Sequence, residues 1–191
     1  MQKDSKIYLV VGLVVAVAII GLVVFFGKGD TGPSKYDGFA TALKDQGAVF
    51  YGAFWCPHCQ ATKALFGSAA KKLPYVECST LDGNGQTQAC IDKKIESYPT
   101  WSFKDGIKIT SGNEPTICPI KINDVKEEGV CANVASSYYK VWVFPEFGFS
   151  VKSPSDPIKN GDVWQFPSES YTVGELPLSF IATQINFTLP Q

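Results

Sequence analysis

The pattern of apolar and polar positions divides the chain into an apolar run, a linker and a longer mixed region. Residues 7–26 read IYLVVGLVVAVAIIGLVVFF, twenty positions without a charge. As a helix, rising about 1.5 Å per residue, this run spans roughly 30 Å of hydrocarbon. It is longer than the core of a cleaved leader, and no small-residue cleavage pattern follows it, so an uncleaved membrane anchor is expected. Residues 1–6 then form a short cytoplasmic end, and residues 27–35, GKGDTGPSK, a flexible linker.

Beyond the linker the period shortens. YDGFATALKDQG predicts a short amphipathic helix with Phe39 and Leu43 inward and Gly47 as its stop. AVFYGAF, an apolar run of strand length, leads directly into FWCPHCQ. The next stretch turns helical. Ala61, Leu65 and Ala69, joined by Phe66 and Ala70, predict its buried stripe, Gly67 a bend and Pro74 its end. PYVEC predicts a strand, QTQACIDKKI a short helix, and SYPTWSF a strand that Asp105-Gly106 closes in a hairpin-type turn. Residues 107–167 are rich in Pro, Lys and Asp, with strand-like runs in YYKVWVF and DVWQF. The end offers a strand up to Gly174 and a helix with Pro177 in its first turn and Leu178, Ile181 and Ile185 inward. A βαβ unit followed by antiparallel strands is an α/β arrangement.

Composition narrows the chemistry. A net charge of −1 gives no electrostatic case for a nucleic-acid partner. All 17 basic side chains are lysine, which removes the guanidinium fork that clamps phosphate. Phosphorylated substrates are therefore not expected. Six cysteines, an even number, suit an oxidising compartment and place the domain outside the cytoplasmic membrane.

Cys56 and Cys59 in CxxC spacing admit three readings: a metal site, a structural staple or an electron-exchanging pair. Zinc wants a second pair at short spacing, and the single histidine, His58, lies inside the motif, so no metal is expected. Position argues against a staple. The motif falls where a strand hands over to a helix, so unpaired N–H groups and the positive end of the helix dipole face Cys56. Pro57 suits the first helical position. His58 adds a donor beside the thiolate. These features favour Cys56 as the attacking sulfur and Cys59 as its resolving partner. A stabilised thiolate favours the reduced form, so the disulfide would be given away: the expected direction is that of an oxidant.

FWCPHC, the helix after it and SYPTW resemble the thioredoxin superfamily. YGAFWCPHCQATKALFGSAAKKLPYVECS, then QAC and SYPTW, are similar to the thioredoxin-like (DsbA-like) domains fused to, or paired with, bacterial vitamin K epoxide reductase (VKOR) homologues. The likeness covers roughly residues 49–103, with a weaker echo at YTVGELPLSFIA. It implies a thioredoxin-like α/β fold over residues 36–106 and 168–191, preceded by the one transmembrane helix and interrupted by a β-rich insert at 107–167. It also implies Cys56 and Cys59 as the redox pair, Pro99 as a cis-proline facing them, and Trp55, Tyr98 and Thr100 flanking a substrate groove. No bound cofactor is implied. Electrons would pass from cysteine-containing folding proteins to a separate VKOR-like or other quinone-linked membrane partner. One departure stands out: many thioredoxins carry a buried acid six positions before the first cysteine, and this chain has Phe50.

Cys78 and Cys90 close a loop over a Gly/Asn-rich turn, as a structural bridge or as a relay to Cys59. Cys118 and Cys131 are read as a staple within the insert. The insert's aromatics, such as Tyr138, Tyr139, Trp142, Phe144 and Phe147, form either the core of a small β-subdomain or a docking surface. Two other functions stay open: a thiol reductase or disulfide isomerase fed by a transmembrane donor, and an anchored binding or assembly module acting through the insert.

Overall fold

The computed structural model describes residues 12–17, 19–20, 32–118, 131 and 136–191. Residues 12–17 and 19–20 are helical. Among the described residues no helix is long and apolar enough to cross a membrane, and most of the expected anchor over 7–26 lies outside them. Residues 1–33 form one unit and residues 34–191 another.

Helix α1 (Asp37–Asp45) buries Phe39, Ala40 and Leu43 and ends as predicted before Gly47, whose φ of 71° suits glycine. Strand β1 (Val49–Gly52) leads to helix α2 (Pro57–Phe66), which Gly67, at φ 56°, breaks into a 3-10 turn over Gly67–Lys72. Strand β2 (Tyr75–Glu77), helix α3 (Gln88–Asp92) and strand β3 (Thr100–Ser102) follow. Strand β1 lies between β2, parallel to it, and β3, antiparallel.

Alternation along β1 sets the two faces of the sheet. Phe50 stacks on Trp101 with ring centroids 4.6 Å apart, in the main core with Phe39, Leu43 and Phe66. Tyr51 points the other way, into a smaller cluster with Cys78, Cys90, Ile95 and Tyr171. The stripe expected on the second helix holds at Phe66 and Ala69, both buried, and fails at Ala61, which is exposed, and at Leu65, which is 49% exposed; Cys59 and Thr62 are buried in their place. A helix has one inward face, and the one that carries Cys59 wins because it meets the end of β1.

Most buried apolar residues of the insert join the main core, while Cys118, Val141 and Val143, with Cys131 against them, form a small cluster of the insert's own. Among the described residues the insert forms six strands: β4 (Ile107–Thr110), β5 (Thr116–Cys118), β6 (Lys140–Phe144), β7 (Phe149–Ser153), β8 (Ile158–Asn160) and β9 (Val163–Phe166). Strand β10 (Tyr171–Val173) then pairs antiparallel with β3 on one side and β7 on the other. The insert thereby prolongs the main sheet into seven strands, ordered β2-β1-β3-β10-β7-β6-β5. A second sheet, β4-β9-β8, places Ile107, Ile109, Trp164 and Phe166 in the same core as Phe50 and Trp101. The physical reason is an open edge: β10 offers unpaired backbone groups that β7 satisfies, and burial follows. Asp105-Gly106 is therefore no β3–β4 hairpin; it passes the chain from one sheet to the other.

Helix α4 (Leu178–Gln184) follows Pro177, its N-cap, and buries Ile181. Its Gln184 side chain accepts from Lys108 N–H and donates to Lys108 C=O, each at 2.8 Å, covering the free edge of β4.

One polar contact fastens the insert to the loop before β3. The Glu96 carboxylate accepts from Ser136 Oγ at 2.6 Å, from Ser137 Oγ at 2.6 Å and from Lys152 Nζ at 3.2 Å. Lys152 is only 6% exposed, so its charge needs this partner. Burial pushes the Glu96 carboxyl up, but Ser136, Ser137 and Lys152 outweigh it and bring it down to about 2. A carboxyl held below its unfolded value of about 4.3 adds stability above that pH and loses it as pH falls towards 2. Glu96→Gln should thus cost about 2 kcal/mol at pH 7 and flatten the loss of stability between pH 5 and 2, read by urea unfolding at each pH. An unchanged acid profile would remove Glu96 from this role.

Candidate active site

Strand β1 ends at Gly52, and the chain turns through Ala53, Phe54 and Trp55, with Cys56 N–H donating to Ala53 C=O at 3.0 Å. Cys56 is the N-cap of α2. Its sulfur takes the place of the usual capping oxygen and accepts from Cys59 N–H at 3.4 Å. Pro57 stands at the first helical position, where no N–H is needed. Cys59 therefore lies one turn inside the helix. Both carry free thiols; Cys56 is 4% and Cys59 1% exposed.

Tyr98-Pro99 is a cis peptide bond, and the Tyr98 carbonyl lies 3.8 Å from Cys56 Sγ. Pro99 C=O accepts from Gly174 N–H at 3.2 Å, which ties this loop to the end of β10. Trp55 is 50% exposed; its indole N–H donates to Ser79 Oγ at 2.8 Å, and its ring meets Tyr98 edge-on, centroids 6.2 Å apart. The Tyr98 hydroxyl accepts from the Gln86 amide at 2.7 Å. Trp55 and Tyr98 thus form one braced aromatic wall beside Cys56. Thr100 does not share it. It is 2% exposed, with its hydroxyl donated to Ser97 C=O at 2.7 Å, so its side chain points into the fold.

His58 is exposed and bonds Glu175 through Nδ1. Among the described residues, the hydrogen-bond neighbours of Cys56 Sγ are Cys59 N and Tyr98 O, and His58 is not one of them. The donor beside the thiolate expected of His58 comes instead from the helix backbone.

The surroundings of Cys59 are closed. Burial pushes its thiol up to about 12, and the hydrogen bond with Cys56 acts the same way, while Lys63 opposes both. At neutral pH it is an uncharged thiol. Gly52 allows this placement: a Cβ there would lie 2.9 Å from Cys59 Sγ and 2.9 Å from Tyr75 Cε2. Glu77 accepts from Phe54 N–H at 3.2 Å, Ser79 N–H at 2.9 Å and the Tyr75 hydroxyl at 2.9 Å, holding the turn before Cys56 against β2.

Cys78 and Cys90 are joined, Cα atoms 5.5 Å apart and both fully buried. With Cys78 N–H on Gly52 C=O at 2.8 Å, this bridge fixes the segment that carries Ser79 and Gln86. Cys118 and Cys131 are joined in the insert, Cα atoms 5.4 Å apart.

Sequence reasoning missed Gly52, Glu77 and Glu175. A glycine inside a strand signals a close approach, and a lone carboxylate in PYVEC signals a polar job, so the first two were within reach. Glu175 lies 117 positions from His58, and no local pattern joins them.

Comparison with known proteins agrees with this geometry. The thioredoxin family model matches residues 25–117, just under half of the chain. Over 77 residues it is 47% identical to thiol-disulfide oxidoreductase LTO1 of Arabidopsis thaliana, covering 38% of this chain and 20% of that protein. The chain thus matches about a fifth of the length of this relative. Strand β10 and helix α4 lie outside the family match, on the far side of the insert.

Gly52→Ala should force Cys59 and Tyr75 apart, cost about 1–3 kcal/mol in denaturant unfolding, and slow closure of the Cys56–Cys59 disulfide. Wild-type stability and closure would show that the close approach is not required.

Proposed function

We propose that this chain is a membrane-anchored thiol–disulfide oxidoreductase, outside the cytoplasmic membrane, that donates disulfides to cysteine-containing folding proteins. The observation that carries the reading is the unequal setting of the two sulfurs. Cys56 Sγ sits on a helix-start N–H, a donor for negative charge on that sulfur. Cys59 is held as a buried neutral thiol. Both settings suit the dithiol, so the disulfide form is the one that yields.

A substrate thiolate attacks Cys56 Sγ, the Cys56–Cys59 bond breaks, and Cys59 leaves with the electron pair and takes up a proton. A second substrate thiolate then attacks the substrate sulfur of the mixed disulfide and releases Cys56. The substrate is oxidised by two electrons and the pair reduced by two. A quinone-linked membrane oxidoreductase of the VKOR kind takes those electrons and restores the disulfide. The uncharged run over 7–26 supplies the tether. The exposed Trp55 and the Tyr98 edge offer an apolar wall for an extended peptide.

One observation favours the alternative of a reductase or isomerase. Glu175 engages His58, and its carboxylate offsets any positive charge the ring would bring to the helix start. In that setting the disulfide is less oxidising.

The oxidised full chain should convert a two-cysteine peptide to its disulfide one for one. Cys59→Ser, mixed with the disulfide form of the same peptide, should accumulate a mixed disulfide on Cys56 with release of one peptide thiol, read by mass and cleared by reductant, and Cys56→Ser should neither form it nor oxidise the peptide. Peptide oxidation by Cys56→Ser, or a wild type inert to the peptide, would contradict the assignment.

A further inference from the structure

The thiol-exchange reading leaves one chemical demand unmet. Each time the disulfide opens, Cys59 must take up a proton in a site closed to water, and each time it forms, Cys59 must lose one. Position 50, on the strand beneath the pair, cannot serve: Phe50 is stacked on Trp101 and meets Tyr75 edge-on, centroids 5.2 Å apart.

Lys63 is placed for the task. It lies four residues after Cys59, so both project from the same side of α2. Its Nζ stands 3.2 Å above the centre of the Tyr75 ring. The edge of that ring and the Cys59 sulfur are neighbours, since both lie 2.9 Å from the point where a Gly52 Cβ would be. The Tyr75 hydroxyl donates to Glu77 at 2.9 Å, which puts a carboxylate at the far end of the ring. The charged and titratable groups facing Cys59 are Cys56 and Lys63 on its own helix, Tyr75 and Glu77 on β2, and Tyr98 on the loop before β3. Burial lowers the Tyr75 and Tyr98 capacity to give up protons, and Glu77 is committed to three donors. Among these groups, only the ammonium of Lys63 is a mobile proton donor.

Resting on the proposed thiol exchange, we propose that Lys63 is the proton partner of Cys59. As substrate attacks Cys56, the Cys59 sulfur departs with its electron pair and takes a proton from the Lys63 ammonium; Lys63, now neutral, is reprotonated from solvent. Closure of the disulfide runs the same path backwards, with neutral Lys63 accepting the Cys59 proton. The affinities run the right way. Burial lowers Lys63 below its usual value and raises Cys59 to about 12, so transfer to the departing sulfur is downhill.

The test measures how fast the oxidised full chain reacts with a cysteine peptide from pH 5 to 10, corrected for the peptide's thiolate fraction. The wild-type rate should stay level and then fall as the ammonium titrates. Lys63→Met should be slower at pH 7 by at least about tenfold. Lys63→Arg keeps a cation over the Tyr75 ring, yet guanidinium does not release its proton, so it should stay slow. Thermal unfolding at the wild-type temperature in the Arg variant shows that packing is intact. If Lys63→Met reacts within twofold of wild type, or if Lys63→Arg restores the rate, the inference is overturned. A wild type inert to the peptide would instead overturn the thiol-exchange reading, and this inference with it.

Discussion

The site depends on how closely helix α2 approaches the end of strand β1. Gly52 has no side chain, so the Cys59 sulfur and the Tyr75 ring both occupy space that a Cβ would fill. That contact turns the helix so that Cys59, Thr62 and Phe66 face inward, and it leaves Leu65 to solvent. It also fixes where the helix begins. Cys56 becomes its cap, with a backbone N–H on its sulfur and the Tyr98 carbonyl above it. The two thiols differ because one is at the rim of this contact and the other beneath it.

The rest of the fold holds that geometry from outside. Glu77 fastens the turn before Cys56 to β2, and the Cys78–Cys90 bridge holds the segment whose Ser79 and Gln86 brace Trp55 and Tyr98. The loop before β3 is gripped twice, by Gly174 on Pro99 C=O and by the insert's Ser136, Ser137 and Lys152 on Glu96. The insert is thus part of the scaffold: β7 continues the sheet beside β10, and Trp142, Phe144, Phe149, Trp164 and Phe166 share the main core, while Tyr138 and Phe147 stay exposed. Burying Lys152 against Glu96 makes the junction specific to one register.

Local signals carried much of this in the sequence. Strand length before FWCPHC, Pro57 at the first helical position, Gly47 and Gly67 at helix breaks and the inward Phe39 and Leu43 all follow from short-range sterics and periodicity. What was misread had non-local causes. The Ala61–Leu65 stripe is a good helical pattern, but Cys59 settles the helix's rotation. Asp105-Gly106 has hairpin chemistry, yet β3 finds its antiparallel partner in β10, about seventy positions on. Three of the insert's strands, β4, β9 and β8, make a sheet of their own, while an open strand edge, invisible in side-chain patterns, drew β7, β6 and β5 into the main one. Thr100 reads as a groove residue from its place after Pro99, and its hydroxyl turns inward to Ser97. Glu175 and Glu96 carry no local mark of the partners they meet.

The proposed donation of disulfides rests on the unequal settings of Cys56 and Cys59, which favour the dithiol. The direct measurement is the reduction potential of the pair in the full chain, equilibrated against glutathione. A disulfide donor should show a value towards the oxidising end of the scale for this fold, about −120 mV. A value near about −270 mV would mean that the same residues keep substrates reduced, and would contradict the proposed donation.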